Sequence, residues 1–84
     1  MVNIRLNSHE MEILKLQNPS TSHDGGFQSL LVSLQKKMTT NGDLELSVGD
    51  LERIPRYAYD YGNGGWENRL EAIFARSLGK KLGR

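Results

Sequence analysis

The stretch "NIRLNSHEMEIL", residues 3–14, returns later in the chain as "DLELSVGDLERI", residues 43–54, at a constant offset of 40. In the first copy, apolar and polar residues alternate before Asn7 and Ser8, either of which can cap a helix, and Glu10 stands three residues beyond Asn7. Alternation predicts a short strand with one buried face, and the polar–acid spacing predicts the start of a helix. The same strand–helix pattern is therefore present twice.

A second pair of matching blocks follows these copies. "GGFQSLLVSL", residues 25–34, aligns with "GGWENRLEAI", residues 64–73, at an offset of 39, so that Phe27 matches Trp66. The apolar residues in both blocks have helical spacing, which predicts a longer helix behind each glycine pair. We expect the glycines to allow a sharp turn and a close approach, while the aromatic residue enters the core.

The two halves of the chain therefore look like copies of one unit. Coincidence is the alternative explanation, because any two strand–helix–helix segments share some patterning, but a Gly-Gly-aromatic triplet in the same register favours duplication. The sequence predicts a single domain, residues 1–84, that is mostly α (α+β). It would consist of two βαα repeats, about residues 1–40 and 41–79, around a pseudo-twofold axis.

The strands of the two repeats are expected to meet in a short two-stranded antiparallel ribbon of residues 2–6 and 43–47. Arg5 and Glu45 would project from its outer face and could form an ion pair. The two aromatic residues would lie buried near the interface between the repeats, since neither half can hide its apolar face alone. The basic tail, residues 80–84, is predicted to be a solvated end.

Composition excludes several classes of protein. The chain has 84 residues, a net charge of +1 and no cysteine, so it has neither a disulfide framework nor a thiolate metal site. Its longest apolar stretches, such as "LLV" at 30–32, fall far short of the roughly 20 residues that span a bilayer. We therefore expect a cytoplasmic protein that does not enter a membrane.

Residues that could support catalysis or metal binding are sparse. His9 and His23 are the only histidines, and no ligand spacing surrounds either of them. Ser20 and Ser22 lie near His23 in a predicted flexible loop, which cannot hold a nucleophile and a base in a fixed geometry. The sequence therefore predicts no catalytic residue, no metal and no cofactor, and hence a protein that is not an enzyme.

The stretch "VNIRLNSHEMEIL", residues 2–14, resembles the start of a ribbon-helix-helix protein. The resemblance implies that two paired strands read DNA, with Asn3 and Arg5 contacting bases in the groove. In the second copy the equivalent residues are Asp43 and Glu45, and these carboxylates oppose the electrostatic attraction that dominates DNA binding. This departure puts direct DNA binding in doubt.

The segment after the second predicted strand and helix start contains a proline, Pro55, followed by two tyrosines, Tyr57 and Tyr61. Pro55 is expected to kink or restart its helix, after which Tyr57 and Tyr61 share one face. Tyr and Arg dominate the hot spots of protein interfaces. The alternative is that both tyrosines pack on Trp66 as part of the core, with their hydroxyls at the surface. The predicted partner-binding residues are Arg53, Arg56, Tyr57, Tyr61 and Arg69.

Residues 50–79 also resemble short proteins of phages and other mobile elements, the size class that includes anti-CRISPR proteins. "IPRYAYDYG" and "GGWENRLEAIF" carry this resemblance, which implies stoichiometric blocking of a host protein or complex. The sequence thus favours a small non-enzymatic binding protein, either a monomer or a homodimer, that occupies a partner's surface. The alternative is a ribbon-helix-helix-like transcriptional regulator that binds DNA.

Overall fold

The computed structural model describes residues 1–82 and contains two strands and four α-helices within that range. The first half contains β1 (Val2–Arg5), α1 (Ser8–Lys15), a 3₁₀ turn (Pro19–Thr21) and α2 (Gly26–Lys37). The second half contains β2 (Asp43–Leu46), α3 (Val48–Pro55), a π-helix (Arg56–Asp60), α4 (Gly64–Leu78) and a 3₁₀ turn (Gly79–Leu82). This mostly helical α+β architecture confirms the predicted fold class.

Both predicted helix starts are capping boxes. The Asn7 side chain accepts a hydrogen bond from the Glu10 N–H at 2.9 Å, and the Glu10 carboxylate accepts one from the Asn7 N–H at 2.9 Å. Ser47 and Asp50 make the same two bonds, at 3.1 Å and 3.0 Å. The cap of α1 is thus Asn7 rather than Ser8. Each box gives an acceptor to two backbone N–H groups that the start of a helix leaves without partners.

The antiparallel ribbon has a register that pairs Ile4 with Leu44, two residues that the offset of 40 equates. One position further, Arg5 lies opposite Asp43, and its Nε donates to the Asp43 carboxylate at 2.8 Å. The predicted pairing of Arg5 with Glu45 is therefore wrong. Alternation fixes which face a side chain takes, whereas the register decides its partner on that face.

The core lies between the four helices and the inner face of the ribbon. Its side chains are almost entirely aliphatic, and each half of the chain contributes to it. Leu82 belongs to this core, with 4% of its surface exposed, although the sequence places it in a solvated tail. Gly79 ends α4 with a φ of 53°, and the following turn then contacts α3 and α4. Lys80 and Lys81 are exposed, and residues 83–84 lie outside the described residues.

Each half contains a strand and then two α-helices, the order that the predicted duplication requires. The ribbon register and the matching capping boxes support it as well. The duplication and its pseudo-twofold axis both stay predictions.

Candidate functional site

Four rings form a continuous cluster, Phe27, Tyr57, Tyr61 and Trp66, which we call the aromatic cluster. Phe27 and Trp66 stack with their ring centroids 4.8 Å apart and an interplanar angle of 7°. The two rings therefore meet as predicted, but the prediction that both are buried holds only for Phe27. Phe27 is buried, whereas Trp66 is only half-buried, so one face of the stack belongs to the core and the other lies nearer to the surface.

The two tyrosines extend the cluster outward. Tyr57 stacks on Tyr61 at 5.2 Å, and both rings meet Trp66 edge-on at 5.7 Å. Tyr57 is half-buried, while 55% of the Tyr61 surface is exposed. Both tyrosines therefore pack on Trp66, as the alternative interpretation predicts, and Tyr61 remains largely exposed. Their role in binding a partner stays a prediction.

Pro55 determines the backbone beneath the tyrosines. It lacks the N–H that would continue the α-helical hydrogen bonds to Leu51, and the helix does not restart but passes directly into the π-helix Arg56–Asp60. The Arg56 N–H donates to the carbonyls of Glu52 and Arg53. The predicted kink or restart is thus a change of helix type, and π-helical turns are frequent at functional sites.

Gly26 permits the close approach of Tyr57 to α2. A Cβ at this glycine would lie 1.8 Å from the Tyr57 hydroxyl oxygen, so no larger residue fits without moving the ring. The matching explanation fails for the second glycine pair. A Cβ at Gly64 would meet nothing within 4 Å, and one at Gly65 would meet only the Asn63 side chain at 3.3 Å.

The three predicted arginines occupy different environments. The Arg69 guanidinium lies 6.0 Å from the centre of the Phe27 ring and donates to the Gln17 side chain at 2.9 Å, so it borders the aromatic cluster. Arg56 is exposed on the π-helix and forms no ion pair with the described residues. Arg53 donates to Asp50 at 2.9 Å. The structure thus brings Arg69 to Phe27, at the edge of the aromatic cluster, and engages Arg53 in an ion pair.

The outer face of the ribbon carries the residues that the ribbon-helix-helix resemblance assigns to DNA. Asn3 and Arg5 are exposed there beside Asp43 and Glu45. Asp43 accepts two hydrogen bonds from the Arg5 guanidinium, at 2.8 Å and 3.3 Å, and this pairing lowers the pKa of the Asp43 carboxyl. The outer face of the ribbon thus carries one cation and two carboxylates, and this charge balance disfavours the binding of DNA.

Two acids, Glu10 and Asp50, are buried in ion pairs that were not predicted from the sequence. Glu10 is 4% exposed and accepts hydrogen bonds from Arg76 at 2.7 Å and 3.1 Å, while Asp50 is fully buried and pairs with Lys37 and Arg53. Each acid comes from one half, and Arg76 or Lys37 comes from the last helix of the other half. The offset of 39 equates Lys37 with Arg76, so the alignment already contained this signal.

Burial and hydrogen bonding compete at both acids. Burial alone would raise the pKa of the Asp50 carboxyl, but bonds from Lys37 and from Ser47 outweigh it and lower this pKa from 3.8 to about 2. At Glu10 burial is likewise outweighed, by bonds from Arg76 and from the Asn7 backbone, and the pKa is lowered. Both acids are therefore ionised at neutral pH and engaged in ion pairs that join the two halves of the chain.

No cluster of three or more metal-ligating side chains occurs within residues 1–82. Over the same range, no helix combines the length and the apolar character that a membrane span requires. No known protein family, curated protein or solved structure matches the chain.

Proposed function

We propose that this chain is a small non-enzymatic binding protein that occupies the surface of a partner protein through the aromatic cluster and the adjoining Arg56 and Arg69. The observation that carries the proposal is the exposed Tyr61 ring, which is held on one face by Tyr57 and at its edge by Trp66. A large ring left half in solvent on a rigid support is suited to insert into a partner's pocket.

Rigidity supports this assignment over a purely structural one. Ordering a side chain on binding costs about 0.5–1.5 kcal/mol, and Tyr61 is already ordered by its ring contacts. Tyr, Trp and Arg are also the residue types that contribute most to binding energy at interfaces. The aromatic cluster therefore reduces the free energy that would be needed to order the Tyr61 side chain when a partner binds.

The finer proposal concerns the partner. The resemblance of residues 50–79 to short phage and mobile-element proteins favours a host protein or complex that is inhibited one-to-one. The ribbon-helix-helix alternative has less support, because Arg5 is engaged by Asp43 and the outer face of the ribbon is acidic.

Affinity capture tests the proposal. The immobilised wild-type protein is compared with Tyr61→Ala and Arg56→Ala in lysate of a bacterial host. Val48→Ala is the control, since Val48 on α3 is 65% exposed against 55% for Tyr61. We expect one protein to be retained by the wild type and by Val48→Ala, and to be lost with Tyr61→Ala. With that partner purified, its Kd should rise by about thirtyfold or more for Tyr61→Ala.

Two outcomes would contradict the proposal. Equal retention by all variants would show that binding does not use the aromatic cluster. A mobility shift with duplex DNA at low salt that disappears steeply as salt rises, together with loss of protein capture after nuclease treatment, would favour the DNA-binding alternative.

A further inference from the structure

A pocket lined by polar side chains lies along α2 and shares no residue with the aromatic cluster. It is an open pocket of about 490 Å³ between α2 and the loop that precedes it. Its polar lining consists of Ser22, His23, Ser29, Ser33, Lys36 and Lys37. We call it the serine–lysine pocket.

The helix supplies a straight row of donors to this pocket. Ser29, Ser33 and Lys36 are spaced by four and three residues, so they lie on one face of α2. Ser22 and His23 come from the preceding loop and close the other side. Val32 is 1% exposed and forms the floor. Side chains from two separate segments therefore converge on one space.

These side chains are not used to hold the fold together. Within residues 1–82, the side chains of Ser22, Ser29, Ser33, His23 and Lys36 form no hydrogen bond or ion pair with the protein. This contrasts with the ionic groups in the interior, where Glu10 and Asp50 are fully engaged. Three hydroxyls, an imidazole and an ammonium group thus remain available to a ligand.

The charge of the pocket selects an anion. No carboxylate lines it, and the Asp50 that pairs with Lys37 is fully buried behind that lysine. Hydroxyl, imidazole and ammonium groups can all donate hydrogen bonds, and an anion with several acceptor oxygens can engage several of them at once. We propose that the serine–lysine pocket binds a phosphate group, either free or carried by a phosphomonoester.

Titration with defined anions tests the proposal. Amide shifts of ¹⁵N-labelled protein are followed at pH about 7.5, where a phosphomonoester is largely a dianion, with inorganic phosphate, O-phosphoserine and acetate at constant ionic strength. We expect saturable shifts at Ser22, Ser29 and Ser33 with a Kd of roughly 1–10 mM, and none of comparable size with acetate. Tighter binding of O-phosphoserine than of phosphate would identify a carried group as the ligand, and the reverse order would identify the free ion.

Matched variants locate the binding. Lys36→Gln should raise the Kd about fivefold, because it removes the free cation of the pocket. Ser33→Ala should raise it by a smaller factor. Lys15→Gln removes an exposed lysine on α1 and should leave the Kd unchanged. The proposal is overturned if the shifts do not saturate by about 50 mM, if they centre on Lys80 and Lys81, or if Lys36→Gln and Lys15→Gln behave alike. Loss of partner capture in Tyr61→Ala has no bearing on this result, because the two sites share no residue.

Discussion

Gly26 and Gly64 are the first residues of α2 and α4, yet their surroundings differ completely. The Tyr57 hydroxyl occupies the space where a Gly26 side chain would lie, whereas the space around Gly64 is empty. Two glycines that each begin a helix therefore have different reasons to be glycine. At Gly26 the reason is the packing of the aromatic cluster.

Gly26→Ala should lower the free energy of unfolding by about 1–3 kcal/mol, because the Tyr57 ring must leave its contacts with Phe27 and Trp66 to admit the methyl group. Chemical denaturation followed by far-UV circular dichroism measures this change. Near-UV circular dichroism should also change, since the rings shift.

Gly64→Ala is the control for Gly26→Ala, since both glycines are the first residue of an α-helix. With no atom within 4 Å of the new Cβ, it should leave stability unchanged or raise it by about 0.4–1 kcal/mol through a less flexible unfolded chain. Equal losses at both positions would show that the Tyr57 contact is not the cause.

Asp50 gives the fold a defined acid sensitivity. Its pKa is lowered on folding from 3.8 to about 2, so its contribution is fully present above pH about 4 and is lost as the pH falls toward 2. The difference corresponds to roughly 2 kcal/mol at neutral pH. In Asp50→Asn this part of the acid dependence should disappear, as measured by urea denaturation across that range. Glu10 and Asp43 also have lowered pKa values, so part of the slope should remain in Asp50→Asn. A slope as steep in Asp50→Asn as in the wild type, or one that falls equally in the exposed Glu52→Gln, would contradict the assignment.

At the scale of elements, two ion pairs connect the first helix of one half to the last helix of the other. Glu10 of α1 meets Arg76 of α4, and Asp50 of α3 meets Lys37 of α2. The two pairs differ in one respect, because Asp50 has Arg53 as a second cation, whereas the ion pair of Glu10 has a single cation. Removing the cation should therefore have unequal effects.

Arg76→Met should cost about 2–4 kcal/mol of stability, because it leaves a buried carboxylate without its charge partner. Lys37→Met should cost less, since Arg53 stays bound to Asp50. In a double-mutant cycle, Glu10→Gln combined with Arg76→Met should lose less than the sum of the single changes. Additive losses would show that Glu10 and Arg76 do not stabilise each other. Equal losses for Arg76→Met and Lys37→Met would show that Arg53 does not compensate for the loss of Lys37.

Features that depend on neighbouring residues were predicted well from the sequence. Contacts between residues that are distant in the chain were predicted less well. The strands and both capping boxes follow from residues within four positions of one another, so the sequence was sufficient to place them. The partner of Arg5 depended on strand register, which alternation does not specify. The π-helix after Pro55 depended on what the next turn packs against, and Tyr57 packs against Phe27 and Trp66.

At the scale of the whole molecule, each half depends on the other. The ribbon, the Phe27–Trp66 stack and both ion pairs all join one half to the other. The alignment predicted that the two rings meet, because apolar partners in a repeat converge on a shared core. Helical spacing placed the tyrosines on one face. The alignment equated Asp50 with the helix-capping Glu10, and so did not show that Asp50 engages Arg53.

A chain divided between the exposed Thr40 and Asn41 should therefore give two fragments, 1–40 and 41–84, that are each largely unfolded. Mixing them should restore helical circular dichroism at a one-to-one ratio and in a concentration-dependent manner. Arg76→Met in the second fragment should weaken this association, while Glu52→Gln should not. Cooperative folding of either fragment alone would contradict the mutual dependence.

The position of Trp66 has a practical consequence. It is the only indole of the chain, it stacks on a ring from the opposite half, and two phenol groups lie within 6 Å of it. Intrinsic fluorescence is thus a label-free reporter in this protein: energy transfer from the phenols to the indole registers the state of the ring assembly, and quenching by an added solute registers whether its outer side has been covered.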